Sequence, residues 1–237
     1  MERMIPKGLE PELVYEIFEE ISRIPRPSGH EEEISNWLVA FADKYHLSSV
    51  QDRKGNVLIR KAGTPGKEDH PGVILQSHMD MVCEKVPESN HDFMKDAIRI
   101  FVEGDKIVAK ETTLGADNAL GLAYSLAILT LKDVPHPPLE VLVTVDEEVG
   151  LTGAEEFDAS QLKGKYFINL DSGDEGIFTA GSAGGPTISA DIPISRKAPD
   201  SNQVPYCLCV EGLRGGHSGE DIHRHRGNAN KLLFRLL

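Results

Sequence analysis

Four short polar clusters carry the residue types that could perform acid–base or metal chemistry. Three of them follow apolar runs and the fourth opens a helical pattern: Ser77-His78-Met79-Asp80, Asn169-Leu170-Asp171, Asp146-Glu147-Glu148 and Gly115-Ala116-Asp117-Asn118. Carboxylates a few ångströms apart cannot all stay ionised without a counter-charge. A divalent metal ion would supply that charge, and two ions would balance three acids and a hydroxide.

The residue types in these clusters also indicate which metal and which reaction to expect. Imidazole and carboxylate ligands suit Zn²⁺, with Mn²⁺ or Co²⁺ as alternatives. Paired metal ions ~3.5 to 4 Å apart are a known device for hydrolysis. Asp80, two residues beyond His78, is placed to accept the second ring N–H of that histidine. Glu147 beside Glu148 would not be needed as a metal ligand, and a carboxylate beside a metal ion that does not bind it is a natural general base.

Each cluster by itself also has an ordinary structural explanation. Asp117 could be a helix cap beside its glycine, the Asp146-Glu147-Glu148 run could be a solvated charge run, and His78 with Asp80 could be a surface pair. The recurrence of acidic or histidine residues directly after apolar runs is much more specific than any single cluster. The joint pattern therefore favours a hydrolytic metal centre.

The elements that must position the clusters alternate between strands and a helix. Apolar runs predict strands at 73–75, 139–145 and 167–170, and a helix at 118–131. The run at 139–145 is mostly apolar on both faces, which suits an interior strand. Ligands in open α/β sheets bind beyond the carboxyl ends of the strands. The sequence therefore predicts an α/β fold, with a mostly parallel sheet flanked by helices and all four clusters at one edge.

The flanking segments complete this layered arrangement. Residues 10–24 predict an amphipathic helix, and Ser28 with Glu31 forms a capping-box pattern for a second one. A strand is expected at 56–60 and a hairpin at 98–109. After Gly176 the pattern changes, with alternating strand-like runs at 187–192 and 206–210 and a helix from 228 to 237.

Composition excludes several classes of function. The 237 residues include 38 acids and 25 Lys or Arg, a net charge of −13, and such a chain repels nucleic-acid phosphates. No apolar stretch reaches the ~18 to 20 residues that span a bilayer. The N-terminus lacks the apolar core of a secretory signal. Three cysteines make no disulfide framework and no Cys-x-x-Cys occurs. We therefore expect a cytoplasmic protein that binds neither nucleic acid nor membrane.

Taken in order, the clusters resemble the motifs of the M20 metallopeptidases, and the resemblance is strongest to the cytosolic dipeptidase branch of that family. The phrases Thr113-Leu114-Gly115-Ala116-Asp117-Asn118 and Gly215-Gly216-His217-Ser218-Gly219 strengthen the likeness, which covers essentially the whole chain. The resemblance implies a catalytic domain over residues 1–176. It also implies a smaller inserted α+β lid domain over residues 177–237, through which two copies of the chain form a homodimer.

The resemblance also implies a ligand set for two zinc ions. His78 and Asp171 would bind one ion, Glu148 would bind the second, and Asp117 would bridge the pair. These four residues match the family motifs position by position.

Three further residues receive roles from the same resemblance. Asp80 would orient His78 and Glu147 would act as the proton shuttle, so both belong to the expected catalytic set. His217, in the lid, would hold the dipeptide substrate or polarise its scissile carbonyl.

One departure from the family leaves two hypotheses open. The family supplies a last histidine ligand after the lid, in a His-Ala-Gly-Leu-Glu-like segment that these 237 residues do not contain. We therefore expect a truncated chain. The first hypothesis is a metal-dependent hydrolase of Xaa-His and other dipeptides, with carboxypeptidase or aminoacylase chemistry as the nearest alternative. The second is a non-catalytic fragment that binds metal weakly or pairs with other chains.

Overall fold

The computed structural model describes residues 4–173, 176–182, 184, 188–216 and 221–236. The chain divides into two compact units, Met1–Phe178 and Thr179–Leu237. This division falls two residues from the boundary expected from the sequence. The catalytic and lid roles of the two parts stay predictions. Within the described ranges, no helix combines the length and the apolar character needed to cross a membrane.

The first unit is built on a five-stranded sheet and a separate hairpin. The strands in chain order are β1 (Ser48–Gln51), β2 (Val57–Lys61), β3 (Val73–His78), β4 (Ile100–Glu103), β5 (Lys106–Ala109), β6 (Leu139–Thr144) and β7 (Tyr166–Asn169). The large sheet has the spatial order β1-β2-β6-β3-β7, and β4 pairs with β5 as the expected antiparallel hairpin.

The large sheet is mixed. The pairs β6–β3 and β3–β7 are parallel, whereas β1–β2 and β2–β6 are antiparallel. The α/β class expected from the sequence is confirmed. The β1–β2 pair is antiparallel because a tight turn joins the two strands, and such a turn reverses the chain direction. The β2–β6 pair joins segments that are far apart in the sequence.

Helices of the first unit pack on its sheet. The helices of the first unit are α1 (Glu12–Ser22), α2 (Glu32–Lys44), α3 (Ala116–Thr130) and the short α4 (Thr152–Glu156), whereas α5 (Ala229–Leu236) belongs to the second unit. Helix α3 packs on α1 and on β3 and β6, while α2 packs on β1 and β2. All six residues of β6 are buried, so its interior position follows from its apolar sequence.

Two local expectations are wrong. Ser28 and Glu31 do not form a capping box: α2 begins at Glu32 with no side-chain cap, and the Ser28 hydroxyl donates to Asp80 Oδ2 instead. A buried carboxylate is a stronger acceptor than the competing capping geometry offers. Strands were also expected at 187–192 and 206–210. The described residues 188–192 and 206–210 form no strand, because no neighbouring segment of the described chain pairs with their backbone. Residue 187 lies outside the described residues.

The topology gathers the clusters at one edge. Strands β6, β3 and β7 are parallel neighbours, so their carboxyl ends lie side by side. His78 is the last residue of β3 and pairs with Thr144 at the end of β6. The residues that follow these strands therefore enter one crevice, as expected for an open α/β sheet.

Candidate metal centre

The imidazole of His78 is the middle of the candidate site. It is 1% exposed at the end of β3. Its Nε2 atom lies 3.0 Å from Asp117 Oδ1, 3.7 Å from Asp171 Oδ2 and 3.9 Å from Glu147 Oε2. One ligand atom each from His78, Asp117 and Glu148 lie within 4.8 Å of one another. Within the described ranges this is the one group of three or more metal-type donors. The structure therefore brings together three of the four predicted ligands, with Asp171 against the same ring.

Asp117 reaches the site from an irregular start of α3. Gly115 precedes it with φ 68°, and a Cβ at Gly115 would lie 2.4 Å from Arg26 Nη2, so glycine is required on both conformational and steric grounds. The backbone of Asp117 and Asn118 is not helical, and the peptide bond between them is cis. The Asp117 side chain is 71% exposed, so its carboxylate is accessible to a ligand beside its contact with His78.

Asp80 is the buried support of the site. Its carboxylate accepts hydrogen bonds from Ser28 Oγ at 2.7 Å, from Glu147 N at 3.1 Å and from Glu148 N at 3.2 Å. His78 Nδ1 lies 3.2 Å from Asp80 Oδ1. Burial alone would raise the pKa of Asp80, but the bonds from His78 and Ser28 outweigh it and lower that pKa. Asp80 thus fixes both the imidazole and the backbone that carries the two glutamates.

Arg26 is a structural residue that the sequence analysis missed. Its guanidinium is buried and donates to three backbone carbonyls: Met79 O at 3.1 Å, Asp80 O at 3.0 Å and Gly115 O at 2.6 Å. Burial lowers the pKa of Arg26 to about 10, against the opposing effect of Asp80. The group therefore joins the chain beside His78 to the chain before Asp117. An arginine between Pro25 and Pro27 was the available signal.

Asp171 is held by Asn118, the second residue of the α3 bend. Asn118 Nδ2 donates to Leu170 O at 2.8 Å and to Asp171 Oδ1 at 3.1 Å. A Cβ at Gly121 would lie 2.6 Å from Leu170 O, so the helix approaches the end of β7 closely. This contact ties the acid after β7 to the acid that opens α3.

The first acid of the Asp146-Glu147-Glu148 run has a structural role. Asp146 Oδ2 pairs with Lys54 Nζ at 2.9 Å and accepts from Thr152 Oγ1 at 2.9 Å. Its backbone N–H donates to Glu31 Oε1 at 3.0 Å. These contacts turn Asp146 away and direct Glu147 and Glu148 to the site.

The pKa values show how crowded the charges are. Burial lowers the pKa of His78, but hydrogen bonds to Asp117 and Asp80 outweigh it and raise that pKa to about 10. The same contact with His78 lowers the pKa of Asp117 against the effect of burial.

The three remaining acids shift the other way. Burial is the largest cause that raises the pKa of Glu147, Glu148 and Asp171. The charge of Asp117 raises the pKa of Glu148 and Asp171 further, whereas His78 lowers all three values. These acids crowd around one imidazole, and a bound cation would relieve their mutual repulsion.

His217 lies outside the described residues. Its expected contact with substrate therefore stays a prediction from the sequence.

Comparisons with known proteins agree with this geometry. The sequence model of Peptidase family M28 matches residues 56–197. The chain is similar to the cytosol non-specific dipeptidase of Escherichia coli K12, with 42% identity over 97% of this chain and 47% of that protein.

Two solved structures are also similar. Aminoacylhistidine dipeptidase from Vibrio alginolyticus matches with a TM-score of 0.71 and 38% identity, over 97% of this chain and 47% of that one. Aminopeptidase PepT from Bacillus cereus ATCC 10987 matches with a TM-score of 0.58 and 28% identity, over 68% of this chain and 43% of that one. The chain thus spans about half the length, or less, of these relatives.

Proposed function

This chain belongs to peptidase family M28, and on that premise we propose that it acts in the metal-dependent hydrolysis of dipeptides. The resemblance to the dipeptidase branch of the M20 metallopeptidases, expected from the motifs, is confirmed by the dipeptidase relatives. These relatives extend beyond the length of this chain, so the activity is proposed from the site and from their names together.

One observation carries the proposal. Donor atoms of His78, Asp117 and Glu148 lie within 4.8 Å of one another, and a further carboxylate, Glu147, stands 3.9 Å from the same imidazole. Three donors that converge on one point fit a cation, while the fourth group is left for proton transfer. A solvated charge run or a simple helix cap requires no such convergence.

The donor set fits divalent metal ions by its chemistry. One histidine and several carboxylates suit Zn²⁺, and also Mn²⁺ or Co²⁺. We assign His78, Asp117, Glu148 and Asp171 as the residues that would hold two ions. When bound, such ions supply Lewis acidity that polarises a carbonyl oxygen and acidifies water.

Glu147 is assigned the proton transfer. Its backbone N–H is fixed by Asp80, so its carboxylate faces the cluster from a rigid position. Burial raises the pKa of Glu147, which favours a group that accepts a proton from water and then returns it to the leaving amine. Asp80 orients His78 through Nδ1 and keeps the ring aimed at the cluster.

The names of the relatives support a proposal for the substrate and the location. One relative is named a non-specific dipeptidase and another an aminoacylhistidine dipeptidase. We therefore propose that the substrates are dipeptides with a free amino terminus, Xaa-His among them. We further propose that His217 contacts the substrate. Residues 177–237 would act as a lid through which two copies associate. The E. coli relative is named as cytosolic, and the same location is proposed for this chain.

The decisive experiment separates metal binding from catalysis. The purified 237-residue chain is titrated with Zn²⁺, Mn²⁺ or Co²⁺ and assayed for amine release from dipeptides, N-acyl amino acids and longer peptides. We expect metal-dependent hydrolysis of dipeptides above the other classes. Glu147→Gln should lower the rate ~10²- to 10⁴-fold and leave metal affinity unchanged, because only proton transfer is removed. Glu88→Gln, at an exposed acid outside the cluster, is the matched control.

The outcomes distinguish the two hypotheses. Metal binding at the cluster without turnover of any substrate would favour the non-catalytic fragment and contradict the proposed activity of this chain. Preference for N-acyl amino acids would favour aminoacylase chemistry. Absence of metal binding would contradict the site itself.

A further inference from the structure

A pair of thiols lies in the second unit, in a segment that the proposed function does not use. Cys207 and Cys209 are both free and exposed, and their Sγ atoms are 3.5 Å apart. Only Leu208 separates them, and residues 206–210 lie in no helix or turn. Side chains two positions apart in an extended segment point to the same side. The two sulphur atoms therefore form a local pair that does not depend on any distant contact.

We propose that Cys207 and Cys209 chelate a thiophilic divalent metal ion of the Zn²⁺ class. A zinc–thiolate bond is about 2.3 Å long, so an ion bonded to two sulphur atoms 3.5 Å apart would have an S–metal–S angle of about 100°. That angle is near the tetrahedral value and far from the straight line of two-coordinate soft ions. The existing spacing of the thiols thus suits a tetrahedral ion with little movement.

A direct disulfide would require more movement of the same segment. A fully extended chain would separate the two Cα atoms by about 6.6 Å, at the upper end of the range of about 4.4 to 6.8 Å that disulfides usually show. The sulphur atoms would also have to close from 3.5 Å to about 2.05 Å. An ion placed between the sulphur atoms needs neither change, so metal chelation is favoured over oxidation.

The site uses two protein ligands. Within the described part of the chain, the His78 group is the one set of three or more metal-type ligands, and it does not include Cys207. The other two tetrahedral positions therefore go to solvent. Binding forms two sulphur–metal bonds and releases two thiol protons to solvent. An ion held this way exchanges more readily than one in a four-ligand structural site.

The third cysteine provides a matched control. Cys83 belongs to the first unit and is half-buried, and burial raises the pKa of its thiol. A raised pKa disfavours the thiolate, which is the form that binds metal ions, so Cys83 is a poorer ligand than an exposed thiol. A Cys83→Ser variant removes one thiol from the chain without touching the pair.

The test follows Cd²⁺, a spectroscopic probe for Zn²⁺ sites, in the full chain kept reduced by a phosphine. Thiolate-to-metal charge-transfer absorption reports only sulphur ligands, so ions bound at the His78 cluster stay silent. We expect a band that saturates at one equivalent in the wild type and in Cys83→Ser. Cys207→Ser or Cys209→Ser should weaken the binding ~100-fold, since each loses the chelate and keeps one thiol.

Four results would overturn the proposal. Two concern the absorption band: its absence in the wild type, or its loss in Cys83→Ser. The other two are Cd²⁺ binding by Cys207→Ser or Cys209→Ser as tight as in the wild type, and a Cys207–Cys209 disulfide in protein prepared without reductant. Far-ultraviolet circular dichroism verifies that the exposed serine substitutions leave the fold intact. Because the band is independent of hydrolysis, its failure is distinguishable from failure of the proposed peptidase function.

Discussion

The two nitrogen atoms of the His78 ring face different environments, one buried and one open. On the Nδ1 side stands Asp80, which is fully buried and has its carboxylate engaged by Ser28 and by two backbone N–H groups. On the Nε2 side stand Asp117, 71% exposed, and Asp171, 26% exposed, both facing a crevice. The same imidazole therefore separates a buried support from an open donor cluster.

This difference shows how a cluster of acids can be both stable and available. A carboxylate that accepts hydrogen bonds from groups inside the protein can be buried, and it holds those groups in position. A carboxylate that faces the crevice keeps lone pairs for a ligand, at the cost of crowding its neighbours. We therefore expect substitutions on the buried side to change stability, and substitutions on the open side to change metal affinity.

The largest effect on stability is expected from Asp80→Ala. The change leaves the Glu147 and Glu148 N–H groups without their acceptor inside the protein, and His78 Nδ1 keeps only the backbone Asp80 O at 3.1 Å. Loss of one partner from a buried charged network costs about 3–5 kcal/mol in the free energy of unfolding. The measurement is the urea midpoint of the metal-free chain, with Glu88→Ala, at an exposed position, as control. A midpoint equal to that of the control would remove the distinction between the two sides.

On the open side, Asp117→Ala should have the opposite profile. Metal affinity, measured by calorimetry, should fall by more than the ~10- to 100-fold typical of outer-shell partners, because a direct ligand is lost. The stability of the metal-free chain should fall by about 1–2 kcal/mol, less than for Asp80→Ala, because one hydrogen bond to the buried His78 ring is lost. An excess of metal should raise the melting temperature of the wild type but not of this variant. Equal metal affinity in the two proteins would show that Asp117 is no ligand.

An intermediate effect is expected at Arg26, which links the two sides. Arg26→Met removes the donors to Met79 O, Asp80 O and Gly115 O. It also removes a desolvated charge, so we expect a net loss of about 2 kcal/mol in unfolding free energy.

The matched variant Arg26→Lys separates charge from geometry. Lysine keeps the positive charge but lacks the planar fork that reaches carbonyls on two segments. It should recover less than half of the lost stability and leave metal affinity reduced. Full recovery of both quantities in the urea and calorimetry measurements would show that Arg26 acts by charge alone.

The smallest effect is expected from Ser28→Ala. One hydrogen bond to Asp80 Oδ2 is lost, while the Glu148 N–H still donates to that oxygen. The expected loss is about 1 kcal/mol in unfolding free energy with no change in metal affinity. A shift in affinity larger than threefold would indicate that Ser28 also positions the donors.

A large part of the fold was predictable because its signals are local. The apolar runs that became β3, β6 and β7 and the hairpin β4–β5 were all expected, since periodicity and turn residues lie within a few positions of each other. The antiparallel half of the sheet was not expected, because the pairing of β2 with β6 joins residues 78 to 86 positions apart. The strands expected in the second unit do not appear among its described residues, since alternation supplies a face but not a pairing partner.

The sequence by itself determined the types of metal-ligating residue and their placement after apolar runs. A strand that is followed by acidic residues brings those residues to the edge of whatever sheet it joins. Only the tertiary structure decided which acids are supports and which are open donors. Ser28 serves Asp80 instead of capping a helix, Asp146 turns toward Lys54, and Arg26 joins two distant segments. The physical reason is that the burial and the hydrogen bonds of a carboxylate depend on which residues from distant parts of the chain lie beside it. These neighbours determine whether the carboxylate accepts internal hydrogen bonds or is accessible to a ligand.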